Sequence, residues 1–209
     1  MFMSDQRLII FVKAPRPGEV KTRLAKDLGP EAACLAYRDL VETVVENLSS
    51  LHGVELRFTP HDGFAEVQPW LRKGWSAHPQ GEGDLGARLE SAFAQHFADG
   101  AERAVIIGSD CPEVLSADIE AAWSWLQTHD LVLGPATDGG YWLIGVREAQ
   151  PLLWKDIAWG TGQVLEQTLH RAKVPGLRTR LLRTLTDIDT ADDWRRFQAA
   201  GIRAKSPHR

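Results

Sequence analysis

Five consecutive apolar residues near the start of the chain, Leu8-Ile9-Ile10-Phe11-Val12, constrain its fold more than any other feature. A strand with one wet face alternates polar and apolar side chains. An unbroken run rich in β-branched residues is instead the pattern of a strand covered on both faces, as in a parallel sheet flanked by helices. The remainder of the sequence repeats that theme. Pro30 through Leu48 places Leu40, Val41, Val44, Val45 and Leu48 at helical spacing, and Val54 to Thr59 reads as a second strand. Leu85, Leu89, Phe93 and Phe97 recur every four residues and predict a helix from Leu85 to Ala98, ended near Gly100. Further strands are predicted at Ala104 to Ile107, Leu131 to Leu133 and Tyr141 to Val146. Further helices run from Ser116 to about Gln127, from Gln163 to Lys173 and from Ala191 to Ala200. Ser116 and Thr190 are the expected caps, with Asp118, Glu120, Asp192 and Asp193 complementing the helix dipoles. Such alternation predicts an α/β fold of three layers, α/β/α and Rossmann-like, as one domain over residues 1–209 with a mostly parallel sheet. In such sheets ligands bind outside the carboxyl ends of the strands, so the loops there are where chemistry is expected.

Composition removes several alternatives. Hydrophobic residues at 44% and charged residues at 25% exclude disorder, collagen-like repeats and rods. Twenty-four Lys and Arg against 28 Asp and Glu, a formal charge of -4, give no electrostatic reason to expect nucleic acid or an anionic membrane as partner. The two cysteines, Cys34 and Cys111, form neither a disulfide framework nor a zinc motif, which fits a reducing compartment. The first apolar run is too short for a signal-peptide core or a membrane span, so a soluble, cytoplasmic protein is expected. The eight tryptophans have no period and read as core packing, and the tail from Ala204 to Arg209 is expected to fray.

The loop after the first strand, Lys13-Ala14-Pro15-Arg16-Pro17-Gly18-Glu19-Val20-Lys21-Thr22-Arg23-Leu24, has the chemistry of a phosphate cradle. Pro15 and Pro17 stiffen it, Gly18 permits backbone approach, helix-start amides face an anion, and Lys13, Lys21 and Arg23 supply charge. A solvated basic loop is the competing explanation. A P-loop is excluded, because Val20 and Pro15 stand where that motif requires glycines. In Gly108-Ser109-Asp110-Cys111-Pro112 a buried strand delivers one carboxylate into a tight loop. Asp110 is placed as a ligand for Mg²⁺ or Mn²⁺, which take one or two protein carboxylates and fill other positions with water and phosphate oxygens. An Asp that turns the chain or caps a helix is the alternative, weakened by Ser116 as the better cap. Asp187 and Asp189 alternate on an extended segment, and either could join Asp110 on a metal.

Gly134 through Trp142 joins two strands through Asp138-Gly139-Gly140, which suits a plain turn or a contact to sugar or acceptor. Thr161, in Trp159-Gly160-Thr161-Gly162, can donate to a phosphate or hydroxyl or cap the next helix. Gly81-Glu82-Gly83-Asp84-Leu85-Gly86 matches G-x-G-x-x-G, but no buried strand precedes it and it is not the first strand-helix turn, so a dinucleotide fingerprint is rejected. Asp84 and Gly86 read better as a loop approaching a ribose or base. The seven histidines lack zinc spacing, and no Gly-x-Ser-x-Gly elbow exists.

With Lys13 through Leu24 and Gly108 through Pro112, together with Gly83-Asp84-Leu85-Gly86-Ala87-Arg88-Leu89, Asp138-Gly139-Gly140-Tyr141-Trp142-Leu143-Ile144-Gly145 and Asp187-Ile188-Asp189-Thr190, the chain resembles the nucleotide-diphospho-sugar transferase superfamily of GT-A-like fold over nearly its whole length. More narrowly it is similar to the bacterial arsenosugar-biosynthesis-type glycosyltransferases, relatives of phospholactate and molybdenum cofactor guanylyltransferases. The resemblance implies that Lys13, Ala14, Pro15, Gly18, Lys21, Thr22 and Arg23 wrap the nucleotide phosphates. It places Asp84 and Gly86 near base or ribose; Asp138, Gly139, Gly140 and Thr161 remain, from their own loops, the candidates for contact with the second substrate. It gives the metal to Asp110, and to Asp189 by alignment with the terminal Asp-Thr of sugar nucleotidyltransferases. Where many glycosyltransferases show Asp-x-Asp, Pro112 replaces the second Asp, and the loop after the first strand is proline-rich where nucleotidyltransferases are glycine-rich.

The expected activity is therefore a Mg²⁺- or Mn²⁺-dependent transferase with a nucleotide-activated donor. Glycosyl transfer from a nucleotide sugar comes first, nucleotidyl transfer from a nucleoside triphosphate second, and a non-catalytic nucleotide-binding module third; the acceptor is an unidentified small molecule. Asp110 and Lys21 are the expected catalytic groups, and Asp138 is the candidate for a base.

Overall fold

A computed structural model describes residues 5–201; the tail expected to fray lies outside them. Its centre is a seven-stranded sheet of β1 (Gln6–Lys13), β2 (Val54–Thr59), β3 (Ser76–Pro79), β4 (Arg103–Ile107), β5 (Leu131–Pro135), β6 (Tyr141–Val146) and β7 (Thr179–Leu181), in the order β3-β2-β1-β4-β6-β5-β7. All neighbours run parallel except β6, which is antiparallel to both β4 and β5. The exception has a simple cause. Only the short turn at 136–140 separates β5 from β6, enough for a hairpin but not for the crossover that parallel pairing requires.

The unbroken apolar run of β1 is divided between two cores. Leu8, Ile10 and Val12 pack beneath α2 (Pro30–Asn47) and α5 (Ser116–Trp125), together with Val105 and Ile107 of β4. Ile9, with Ala104 and Ile106, packs on the other face beneath α4 (Leu85–Ala98) and α6 (Val164–Lys173). Alternate side chains of one strand thus fill both layers, as period-two geometry demands. A smaller cluster joins α1 (Thr22–Leu28), α2 and α7 (Ala191–Ala199) through Leu24, Leu40, Trp194 and Phe197. Six of the eight tryptophans are buried. The remaining helix, α3 (Phe64–Val67), is a single turn.

Besides that single turn, three elements were not legible. β3 and β7 are edge strands of four and three residues with half-exposed or exposed side chains, so they carry no apolar run. α1 begins inside the basic loop. Ser116 is not the cap expected of it: Leu115 takes that position, Asp118 Oδ2 accepts its N–H at 2.9 Å, and the Ser116 hydroxyl donates instead to the Asn47 carbonyl at 2.8 Å. Thr190 does cap α7, in a reciprocal box with Asp193.

One buried polar cluster lies away from the cleft. Glu55 and Arg57 sit two residues apart on β2 and pair side by side, both almost fully buried. His96 Nε2 lies 3.3 Å from Glu55 Oε2, and Arg57 donates to Gln95 Oε1 at 2.6 Å. Burial alone would raise the Glu55 carboxyl, but His96 and Arg57 outweigh it and hold it down at about 2. A carboxyl depressed on folding stabilises the fold above its ordinary value of 4.5 and loses that contribution as pH falls toward 2. Glu55→Gln should therefore destabilise the protein at pH 7 by about 3 kcal/mol, since Arg57 is left buried without its counter-charge. In denaturant titrations the gap from wild type should close between pH 4.5 and 2. A gap constant over that range would contradict the assignment.

Candidate active site

A cleft of about 570 Å³ opens at the carboxyl ends of β1 and β4. It collects residues that are remote in sequence: Lys13, Lys21, Thr22 and Arg23, Gly83 and Asp84, Asp110, and Asp189. At its centre is Lys21. This residue precedes α1 in the left-handed backbone region, φ 47°, ψ 47°, which costs a non-glycine residue roughly 1 kcal/mol. The conformation turns its side chain inward, leaving it only 4% exposed, with Nζ 2.7 Å from Asp110 Oδ1 and 2.9 Å from Asp189 Oδ1. Burial works against the ammonium charge, but the two carboxylates prevail and raise its pKa above the usual lysine value. Arg23 reaches the other oxygen of Asp189 at 3.4 Å.

The carboxylates are held by their backbones as well. The Asp110 carbonyl accepts from the Ile188 N–H at 3.0 Å, lacing the loop after β4 to the segment before α7. Beside that contact the Cys111 thiol donates to Asp187 Oδ1 at 2.7 Å. Burial raises the Asp187 carboxyl to about 6, and the nearby charges of Asp138, Asp110 and Asp189 add to the rise while the thiol opposes it. Asp187 and Asp189 thus part company: the first is turned to Cys111, the second to the lysine.

Beneath the cleft, the Tyr37 hydroxyl in α2 accepts the Lys13 N–H at 2.7 Å and shares a hydrogen bond of 3.1 Å with Ser109 Oγ. It ties the end of β1 to the end of β4, and burial holds the phenol protonated well above its usual range. Neither Tyr37 nor Ser109 was marked by sequence; the only signal was a polar-tipped residue inside an apolar helical stripe.

Of the other expected residues Asp84 lines the cleft and the rest fall outside its wall, and local structure accounts for each. Ala14 is buried and donates its N–H to Thr59, Pro15 accepts from the Cys34 thiol, and Gly18 turns the chain at φ 82°. Arg16 is turned away, paired with Glu66 at 2.8 Å and Asp62 at 3.1 Å. Asp84 lines the cleft, but its Oδ1 also caps α4 by accepting from Ala87 at 2.9 Å. A side chain at Gly86 would collide with the Trp159 ring. Asp138 accepts the Gly140 N–H at 2.8 Å, and Thr161 donates to the Ala158 carbonyl at 2.7 Å. Gly139, at φ 88°, leaves room for the Gly162 backbone, onto whose carbonyl oxygen a Cβ would fall. Gly139→Ala should accordingly cost at least about 2 kcal/mol, a fall of roughly 4–8 °C in melting temperature. An unchanged melting temperature would show that the two loops can separate freely.

Two carboxylates on one ammonium suit a small divalent ion. Among the described residues no group of three or more His, Cys, Asp or Glu side chains is placed to hold a metal, and a Mg²⁺ ion with one or two protein carboxylates fills its other positions with water and phosphate oxygens. No helix among the described residues is long and apolar enough to cross a membrane.

Comparison with known proteins agrees with the fold. A bacterial family described as "Uncharacterized protein conserved in bacteria (DUF2064)" matches residues 45–161. A crystal structure from Desulfovibrio desulfuricans G20, provisionally described as a nucleotide-diphospho-sugar transferase, superposes with a TM-score of 0.88 at 32% identity, covering 99% of this chain and 90% of that one. The 3-phospho-D-glycerate guanylyltransferase of Phenylobacterium zucineum is 41% identical over 71 residues, 31% of this chain and a third (33%) of its own length. The manganese complex of Rv0371c from Mycobacterium tuberculosis H37Rv shares the fold at 15% identity, with a TM-score of 0.54, covering 93% of this chain and 98% of that one.

Proposed function

Because the chain belongs to the bacterial DUF2064 family, within the nucleotide-diphospho-sugar transferases, we propose that it is a divalent-metal-dependent nucleotidyltransferase. In this reading an acceptor oxygen attacks the α-phosphorus of a nucleoside triphosphate, the bond to the β-phosphate oxygen breaks, and pyrophosphate leaves. One observation carries the choice over glycosyl transfer. Asp110 and Asp189, from the middle and end of the chain, meet on the Lys21 ammonium. Such a pair resembles the one the likeness to sugar nucleotidyltransferases implies, rather than the Asp-x-Asp of glycosyltransferases. The guanylyltransferase relative points the same way.

Mg²⁺ or Mn²⁺ held by Asp110 and Asp189 would supply charge to the phosphate oxygens as the leaving group forms. Lys21 and Arg23, both held beside Asp189 at the cleft, would add positive charge where the leaving phosphates develop negative charge. Lys13, with no carboxylate paired to it among the described residues, is free to meet a phosphate. Glycosyl transfer is the second reading, favoured by the description of the D. desulfuricans relative.

The two differ in product. Incubation with nucleoside triphosphates, nucleotide sugars and a panel of phosphorylated acids as acceptors should release pyrophosphate from a triphosphate, and EDTA should abolish it. Release of nucleoside diphosphate from a nucleotide sugar, with none of pyrophosphate, would select glycosyl transfer. Nucleotide binding that survives EDTA without turnover would leave a binding module.

A further inference from the structure

Arg88, in the first turn of α4, also lines the cleft, and it differs from the other arginines near it. Arg16 and Arg23 face carboxylates; Arg88 has no carboxylate partner among the described residues. It is fixed by neutral oxygens: Nε donates to the Gly83 carbonyl at 3.0 Å and Nη1 to Gln80 Oε1 at 3.2 Å. Gln80 is itself locked, because its amide nitrogen donates to the carbonyls of Val12 at 2.9 Å and Arg57 at 3.0 Å. Both amide protons are engaged, so Oε1 can only face the arginine. A guanidinium has five N–H donors, and two are used here. The rest form a rigid, half-buried fork on the cleft wall that awaits acceptors.

The strand order says which part of a donor reaches it. Asp110 follows β4, on one side of β1, while the Gln80–Arg88 segment follows β3, on the other. With the phosphates at Lys21, Asp110 and Asp189, the base end of the nucleotide extends toward Arg88. A guanidinium fork pairs best with two adjacent acceptors, and O6 with N7 of guanine is its standard bidentate match among the bases. Adenine offers N7 beside an amino donor, which would face the fork with like polarity.

We propose that Arg88 is a specificity-determining residue that selects guanine through O6 and N7. The inference rests on the nucleotide-donor reading above. It makes a demand that a general preference for guanine would not: the 2-amino group is not read, so hypoxanthine is accepted as well.

The test is calorimetric titration of GTP, ITP, 7-deaza-GTP, ATP and CTP, each with Mn²⁺, into wild type, Arg88→Lys, Arg88→Met and Arg88→Ala, with melting temperatures as a folding control. Wild type should bind GTP and ITP alike, both tighter than ATP by about 5- to 150-fold, with 7-deaza-GTP weakened. Arg88→Ala should lose the GTP and ITP advantage while leaving ATP unchanged, and so should Arg88→Met, which decides if Arg88→Ala does not fold; lysine can still donate to O6 and N7, so Arg88→Lys should keep part of the advantage. A base preference surviving in Arg88→Ala or Arg88→Met, or a preference for CTP or ATP in wild type, overturns the inference. So does equal weakening of every nucleotide that lysine restores, which would make Arg88 a phosphate contact. Unchanged nucleotide affinities in the variants overturn it too and would assign the fork to an acidic acceptor. In each of these cases nucleotides still bind, and the transferase reading stands. Only a wild type that binds none of the five brings down both.

Discussion

Asp110→Asn is expected to lower turnover at saturating donor by about 10²–10³-fold, with little change in melting temperature. The replacement keeps the shape and one carbonyl oxygen but removes the negative charge that a divalent ion needs. Three observations separate the chemical loss from a folding loss. The Asp110 side chain is 46% exposed, so no buried carboxylate is being extracted. Its backbone carbonyl, which accepts the Ile188 N–H, is untouched, so the loop after β4 stays laced to the segment before α7. The Lys21 ammonium keeps Asp189 as a partner. Titrating Mn²⁺ into the variant should show weaker metal dependence of both nucleotide binding and turnover. Turnover within a few-fold of wild type would remove Asp110 from the metal site and with it the proposed mechanism.

How much of this was legible from sequence depends on the range over which each feature is determined. β1, β2 and β4 were readable because both faces of each strand are covered, and α4 because one stripe of it is buried, so an apolar run or a four-residue period records the burial directly. β3 and β7 escaped because an edge strand with one neighbour needs few apolar side chains. The Lys21, Asp110 and Asp189 group was legible as three separate loops at strand ends, and the resemblance joined two of them on a metal. The lysine bridging both carboxylates was not, since it depends on one left-handed residue at the start of a helix too short to announce itself. Gly139 and Gly86 show the reverse. Their sequence settings fit ligand contacts, yet each leaves room for another part of the chain, a long-range packing fact with no local signature. Arg88 lies in a string that carries the resemblance but was given no role, because an arginine at a helix start is ordinary; what distinguishes it is the lack of a carboxylate partner among the described residues, and only three-dimensional neighbours reveal that.

Lys21→Met should also cost about 10²–10³-fold in turnover, but its effect on metal binding should have the opposite sign to that of Asp110→Asn. Methionine preserves most of the side chain's length and removes the ammonium. In the protein without nucleotide, that ammonium occupies the same carboxylate oxygens, Oδ1 of Asp110 and of Asp189, that a divalent ion would take. Removing it frees both and leaves two negative charges facing each other, so Mn²⁺ affinity in the absence of nucleotide should rise. The melting temperature of the metal-free variant should fall, and added Mn²⁺ should recover it by mass action. The fall should be modest, since the two carboxylates are 46% and 35% exposed and solvent screens their repulsion. Turnover should stay low even at saturating metal, because the charge Lys21 brings to the departing pyrophosphate is not replaced. A lysine that served only to hold the two loops together would behave otherwise: metal saturation would restore the loops and the activity with them. Tighter metal binding with persistently slow turnover therefore separates a group that acts on the phosphates from one that merely fastens the site.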